Sequence, residues 1–136
     1  MKQKILFFLV LVLLVGAYIT YRVFKNASAS VENEKVAYTV SVIDLVSEFE
    51  NDENLANSKY LNKVIEVTGT IEKIETKDNT VNIYLSEENS TSNVICGFDA
   101  KMIDKLNIIE GQSVKVKGLC TGYLFDVVLN KCAVIP

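Results

Sequence analysis

The 136-residue chain contains no histidine and no tryptophan, and it has only one proline and three cysteines. Without histidine the chain lacks the usual proton shuttle near pH 7 and the commonest metal ligand. It also lacks the imidazole base that activates a hydrolytic cysteine. These absences predict a protein that is not an enzyme and that carries no catalytic, metal or cofactor site.

The cysteines do not form a recognisable motif. Cys96, Cys120 and Cys132 are separated by 24 and 12 positions. Zinc knuckles and thioredoxin-like redox pairs both use a C-x-x-C spacing, which is absent here. Two interpretations are possible. The cysteines are buried free thiols that pack as small apolar groups, or two of them form one disulfide.

Arginine is also nearly absent, and the charge is unevenly distributed. Four of the fourteen basic residues lie in the first 25 positions, namely Lys2, Lys4, Arg22 and Lys25. From Asn26 onward, ten lysines accompany all seventeen acidic residues, so this part has a net charge of −7. A negative surface repels phosphate, which disfavours nucleic acid as a partner.

The first 25 residues predict a transmembrane anchor. Ile5 to Tyr21 is seventeen residues long and uncharged. As a helix it spans about 25 Å, close to the ~30 Å hydrocarbon core of a bilayer. The short lysine-tipped N-terminus favours a domain outside the cytoplasm, periplasmic or on the cell surface. A cleaved signal peptide is the alternative, because Ala27-Ser28-Ala29 has the small-x-small spacing of a cleavage site.

Residues 26–40 are small and polar and predict a linker, which leaves 41–136 as the globular domain. The domain begins with a short helical collar in which Ser41 and Asp52 are suited to cap two helices. The apolar stripe of the first helix comprises Val42, Leu45, Val46 and Phe49, and the contact residues of the second are Leu55, Ala56 and Tyr60.

Five stretches alternate apolar and polar residues with a period of two, the pattern of half-buried strands. They are Lys63–Ile74, Val81–Leu85, Val94–Phe98, Ser113–Gly118 and Phe125–Val134. A short helix capped by Asp99, with Met102, Ile103 and Leu106 facing inward, follows the third strand. Three strands, a helix and two strands predict a mostly β protein, a five-stranded OB-fold Greek-key barrel. Gly69 lies within the first strand and is expected to mark a bend.

Three segments carry a resemblance to a known family: "KYLNKVIEVTGTI", "VICGF" and "IIEGQSVKVKGLCTGYLFDVVLNKCAVI". In this order they resemble the tRNA-anticodon-like OB-fold family of small bacterial proteins, over roughly Leu55 to Ile135. The resemblance implies the barrel fold and a role that is not known. It supplies no catalytic residues.

The fold lets the cysteine pairings be compared. If strands four and five turn near Gly122–Tyr123, Cys120 lies opposite Phe125 and roughly 23 Å from Cys132 along the strand. Strand three of an OB barrel runs beside strand five, so a Cys96–Cys132 disulfide is within reach, and a wide loop would allow Cys120–Cys132 instead.

Asp126 opens the fifth strand and is expected to accept hydrogen bonds from backbone amides of the Gly118–Gly122 loop. OB barrels bind ligands on the outer face of strands two and three and with their loops. The residues predicted for a ligand site are Asn82, Tyr84 and Ile95 on that face, together with Tyr123 in the loop between strands four and five. The sequence therefore predicts a membrane-anchored binding module for a protein or small ligand, with a nucleic-acid-binding barrel and an enzyme as alternatives.

Overall fold

A computed structural model describes residues 1–27 and 30–136. The N-terminal segment forms one helix, α1 (Lys2–Ala27). Its portion Lys2–Lys25 is long and apolar enough to cross a membrane, with a mean hydropathy of 2.2, and none of it is buried. A signal sequence would have the same properties. Residues 28 and 29 of the predicted cleavage motif lie outside the described residues.

The remaining elements are short helices and long strands. In chain order they are β1 (Tyr38–Ser41), α2 (Val42–Asn51), α3 (Glu53–Tyr60), β2 (Val64–Lys77), β3 (Thr80–Ser86), β4 (Val94–Asp99), α4 (Ala100–Ile103), β5 (Ser113–Leu124) and β6 (Asp126–Ile135). The strand order is β1-β2-β3-β4-β6-β5, and β2 also pairs with β5. Strands β2 to β6 therefore close into a five-stranded barrel, which confirms the predicted OB-type fold.

Strand β2 is shared between two neighbours. Val64–Thr70 pairs with β5, and Thr70–Lys77 pairs with β3. Gly69 is buried next to this change of partner. A Cβ atom at Gly69 would collide with the side chain of Val42 and lie 3.3 Å from Leu85 Cβ. The glycine therefore leaves the room that helix α2 needs to pack across the end of the barrel.

The helical collar begins with the predicted caps. Ser41 Oγ accepts a hydrogen bond from Asp44 N at 3.2 Å, and Asp52 Oδ1 accepts one from Leu55 N at 3.0 Å. The predicted stripe of α2 is buried in the core. In α3, Ala56 and Tyr60 are buried, whereas Leu55 is 66% exposed, so the prediction that Leu55 makes a core contact is wrong.

The helix after β4 is shorter than the sequence suggests. It ends at Ile103, which is buried, and Met102 is half-buried. Leu106 lies beyond the helix and is 41% exposed, so it is not part of an inward stripe.

The predicted linker is partly docked on the barrel. Its last residues form β1, which pairs in parallel with β2. Before β1, residues 30–37, which we call the strap, lie against β5 and β6. Val31 is buried, and its amide donates to the Lys131 carbonyl at 2.9 Å. Lys117 Nζ donates to the Glu32 carbonyl at 2.9 Å.

The hairpin between β5 and β6 turns later than predicted. Strand β5 continues through Gly122 and Tyr123 to Leu124, and Phe125 forms the tip. Gly122 has a φ of +139°, but it occupies a bulge in the ladder rather than the turn. The predicted turn at Gly122–Tyr123 is therefore wrong, and Cys120 pairs with Leu129 instead of Phe125.

Candidate ligand-binding groove

The outer face of β3 and β4 carries three of the four residues predicted for a ligand face. Asn82 pairs with Gly97, and Tyr84 pairs with Ile95. The alternate residues of both strands point into the buried core. Asn82, Tyr84 and Ile95 thus lie side by side on the half-exposed surface of the barrel.

A groove opens beside this face because β4 and β6 diverge. The two strands pair in parallel only from Val94–Cys96 to Val127–Leu129. Beyond that point they enclose an open groove of about 400 Å³. The groove is lined by Asn79, Thr80, Gly97, Phe98, Asp99, Asn130 and Lys131. Sequence reasoning missed it, since the divergence of two distant strands leaves no local pattern.

Gly97 keeps the floor of the groove open. A Cβ atom at this position would lie 3.1 Å from Asn130 Oδ1 and 3.6 Å from Asn82 Oδ1. Asn130 Nδ2 donates to Thr121 Oγ1 at 3.3 Å, which orients its carbonyl oxygen. Two carboxamides therefore flank a stretch of bare backbone. A ligand at this point would meet neutral hydrogen-bonding groups and could approach the main chain closely.

Tyr84 lies on the same outer face as Asn82 but is not among the residues that line the groove, and it is held by its neighbours. Its hydroxyl donates to Glu75 Oε2 at 2.7 Å, and Lys73 forms an ion pair with the same carboxylate. Lys73 Nζ also lies 5.5 Å from the centre of the Tyr84 ring. The hydrogen bond from Lys73 lowers the pKa of Glu75, and the hydrogen bond to Glu75 raises the pKa of Tyr84. The Tyr84 ring is therefore partly covered by Lys73.

Tyr123 does not join this face. It pairs with the fully buried Val127 and stacks on Phe49 of α2, with ring centres 5.4 Å apart. A register shift between Cys120 and Gly122 precedes it in β5. The sequence analysis predicts Tyr123 in the loop between the fourth and fifth barrel strands. The residue lies within β5 instead, because the hairpin turns at Phe125.

Asp126 also has a different partner from the one expected. Its Oδ1 accepts a hydrogen bond from Asn93 N at 2.8 Å, in the loop between β3 and β4. The expected donors were amides of residues 118–122. Asp126 therefore joins the β5–β6 hairpin to a neighbouring loop.

The three cysteines are buried free thiols. Burial raises the pKa of Cys120 and raises that of Cys132 well above its usual value, with the neighbouring Cys96 thiol adding to the latter effect. Thiols in this state are protonated and poorly nucleophilic at neutral pH. The structure does not contain the Cys96–Cys132 disulfide, but the two thiols are neighbours, so this pairing stays a prediction. Within the described ranges, no group of three potential metal ligands comes together.

Several lysines of the domain are already engaged. Lys59, Lys73 and Lys115 form ion pairs with glutamates, and Lys117 is buried against the strap. These contacts reduce the positive charge that is available to a ligand.

The tRNA_anti-like family matches residues 1–134, a range that includes α1. Among curated proteins, none matches this chain. The solved structures that share the fold include the following two. One is a putative nucleic acid-binding lipoprotein from Klebsiella pneumoniae, with 17% identity, a TM-score of 0.62 and coverage of 71% of this chain and 91% of that chain. The other is a putative aspartyl-tRNA synthetase from Leishmania major, with 15% identity, a TM-score of 0.50 and coverage of 79% of this chain but only 23% of that chain.

These identities establish a common fold and nothing more. The family match, in contrast, extends over nearly the whole chain, and the closed barrel with its helix between the third and fourth barrel strands agrees with it. The chain therefore belongs to the tRNA_anti-like family.

Proposed function

We propose that the protein is a membrane-anchored binding module that holds a protein segment or a small polar ligand in the groove between β4 and β6. The observation that carries this proposal is the open floor at Gly97, flanked by the carboxamides of Asn82 and Asn130. Neutral amides suit a ligand with its own donors and acceptors, such as an extended peptide backbone. In this role the module binds and does not catalyse.

The anchor in this proposal is α1. It is apolar along Lys2–Lys25 and fully exposed, so it packs against none of the described residues of the domain. The family match includes the residues of α1. We place the domain on the extracytoplasmic side because the N-terminal tail before the span is short.

Nucleic acid is the second candidate ligand. The Klebsiella neighbour is described as nucleic acid-binding, and OB barrels hold single strands by combining a positive groove with stacked aromatic rings. The net charge of −7 from residue 26 onward and the covered ring of Tyr84 favour the protein or small ligand instead.

The groove is tested with the full chain in phosphatidylcholine nanodiscs. Hydrogen exchange of β3, β4 and β6 is followed by mass spectrometry while extended peptides, nucleosides and single-stranded oligonucleotides are added in turn. We expect a peptide or small polar compound to protect β4 and β6 around Gly97, and Asn130→Ala to remove that protection. Asn54→Ala, on the exposed surface of α3, is the control. Protection located only elsewhere would contradict the groove.

The location is tested separately in cells of the native host. A membrane-impermeant protease added to spheroplasts should digest the domain and leave a membrane-embedded fragment containing α1. Full protection of the domain in intact spheroplasts, with digestion after lysis, would contradict the extracytoplasmic placement.

A further inference from the structure

The tip of the β5–β6 hairpin exposes two large apolar side chains. Leu124 is 79% exposed and Phe125 is 82% exposed. Phe125 also has a φ of +65°, a conformation that is unusual for a bulky residue. Neither residue belongs to the hydrophobic core. The two side chains therefore contribute no core packing.

The hairpin beneath this tip is firmly held. On one side Tyr123 stacks on the buried Phe49, and on the other Asp126 accepts its hydrogen bond from Asn93 N. Val127 N also donates to the Asn93 carbonyl at 3.1 Å. Leu124 and Phe125 are therefore presented at a fixed position.

A cleft of about 600 Å³ opens beside the tip, and its charge is of one sign. Its acidic side chains are Glu50, Glu72, Glu87 and Asp126, and no lysine or arginine of the described ranges lines it. Three of these carboxylates accept hydrogen bonds from hydroxyl or amide groups, which leaves their charge in place.

Lysines do not neutralise the cleft. Among the described residues, the ion pairs involve Glu48, Glu66 and Glu75, none of which lines it. The apolar tip is thus bordered by four carboxylates without a cationic partner.

We propose that this surface, the Leu124–Phe125 tip with its acidic cleft, docks a partner protein through a lysine- or arginine-rich segment that also carries apolar side chains. The carboxylates attract the cationic groups and set the orientation of the segment. Phe125 offers an aromatic face to an ammonium or guanidinium group, and Leu124 contributes apolar contact. The site lies outside the groove at Gly97 and does not depend on it.

Charge argues against the other occupants. An anionic membrane surface would be repelled by the same carboxylates, and so would nucleic acid. A second copy of the domain carries the same net charge of −7 from residue 26 onward, which disfavours self-association.

The test uses the full chain in phosphatidylcholine nanodiscs and a fluorescent peptide of about twelve residues that alternates lysine and leucine. Its counterpart with glutamate in place of lysine is the control peptide. We expect anisotropy to report binding of the basic peptide only. Phe125→Asn should weaken that binding by about tenfold or more, the scale expected when one aromatic contact is lost from an interface.

Phe125→Asn is informative because asparagine accepts a positive φ better than phenylalanine does. The variant should therefore fold, and its thermal midpoint should not fall. Leu55→Asn removes an apolar side chain of comparable exposure on α3 and should leave binding unchanged. Equal affinity of the wild type and Phe125→Asn, or equal binding of the acidic peptide, would overturn the proposal.

Phe125→Trp distinguishes a protein partner from lipid. The wild-type chain contains no tryptophan, so the fluorescence of this variant reports on the tip alone. A blue shift of its emission only after the basic peptide is added supports the proposal. A blue-shifted emission in nanodiscs before any peptide is present would assign the tip to lipid and overturn it.

Discussion

Gly69 shows how a single residue links two layers of the structure. It lies where β2 passes from β5 to β3, directly beneath the first turn of α2. The bulge of β2 lies slightly further on, between Ile71 and Lys73. The absence of a side chain at Gly69 therefore makes room for Val42, and the bend expected at Gly69 stays a prediction.

Replacing Gly69 with valine should destabilise the domain. The new side chain would collide with Val42 and crowd Leu85, and overpacking of this kind typically costs about 1–3 kcal/mol. Chemical denaturation should show a lower midpoint with an unchanged slope. Thr68→Val, at an exposed position of the same strand, is the matched control. An unchanged midpoint in Gly69→Val would mean that α2 does not pack as closely as described.

The pairing of the three cysteines can be tested directly. We expect at most one intramolecular disulfide, joining Cys132 to Cys96, because these two thiols are neighbours inside the barrel. Alkylation of the denatured protein with and without reductant, followed by mass spectrometry, counts the free thiols. Cys120→Ala should not change the difference between the two conditions. A disulfide that includes Cys120, or a bound zinc ion, would contradict this expectation.

At the scale of elements, the strands and caps could be predicted from sequence because their signals are local. A period of two identifies each barrel strand, and one side chain at Ser41 or Asp52 is enough to start a helix. Strand β1 could not be predicted in the same way. Four residues form a strand here only because β2, far along the chain, offers a free edge.

The candidate site could be predicted only in part, because some of its residues are positioned by contacts between strands that are distant in sequence. Asn82 and Ile95 lie in regular ladders, so counting alternate residues places them correctly on the outer face. Tyr123 is misplaced because the sequence predicts the turn at Gly122–Tyr123, whereas Gly122 occupies a bulge and the turn comes at Phe125. Gly97 and Asn130 line a groove only because β4 and β6 stop pairing just before these two residues. Where the two strands diverge is set by the closed barrel and not by the local sequence.

The attachment of the strap to the barrel can be tested by a single substitution. Val31→Ser should loosen residues 30–37, because Val31 is the buried residue that holds the strap beside its hydrogen bond to Lys131. Hydrogen exchange of the strap should accelerate, while the barrel strands keep their protection. Glu34→Ser, at an exposed position, is the control. Loss of protection throughout β5 and β6 would show that the strap is part of the cooperative core.

For the whole molecule, charge is the dominant property. Ten lysines accompany seventeen acids from Asn26 onward, and Lys59, Lys73 and Lys115 are paired with glutamates. Without arginine the domain lacks the bidentate donors that suit phosphate best. The surface is therefore suited to neutral or cationic partners.

We accordingly expect the full chain to bind single-stranded DNA or RNA only weakly at physiological salt. Fluorescence anisotropy with labelled oligonucleotides, at low and at physiological salt, is the measurement. Binding at about micromolar affinity or tighter, with a steep salt dependence and loss in Tyr84→Ala, would identify a nucleic-acid-binding barrel. The same result would overturn the preference for a protein or small ligand in the groove.

The docked strap also shortens the connection between barrel and helix. Two residues, 28 and 29, separate the end of α1 from Ser30, and the chain is hydrogen-bonded to β6 already at Val31. An extended chain spans at most about 3.6 Å per residue, so Ala27 and Ser30 are no more than roughly 11 Å apart. With α1 in a bilayer, the barrel shares a thin layer with every other anchored protein. Confinement to this layer raises the effective concentration of such neighbours above that in dilute solution. A site of modest affinity on such a barrel would bind a protein anchored in the same membrane more readily than the same protein in dilute solution.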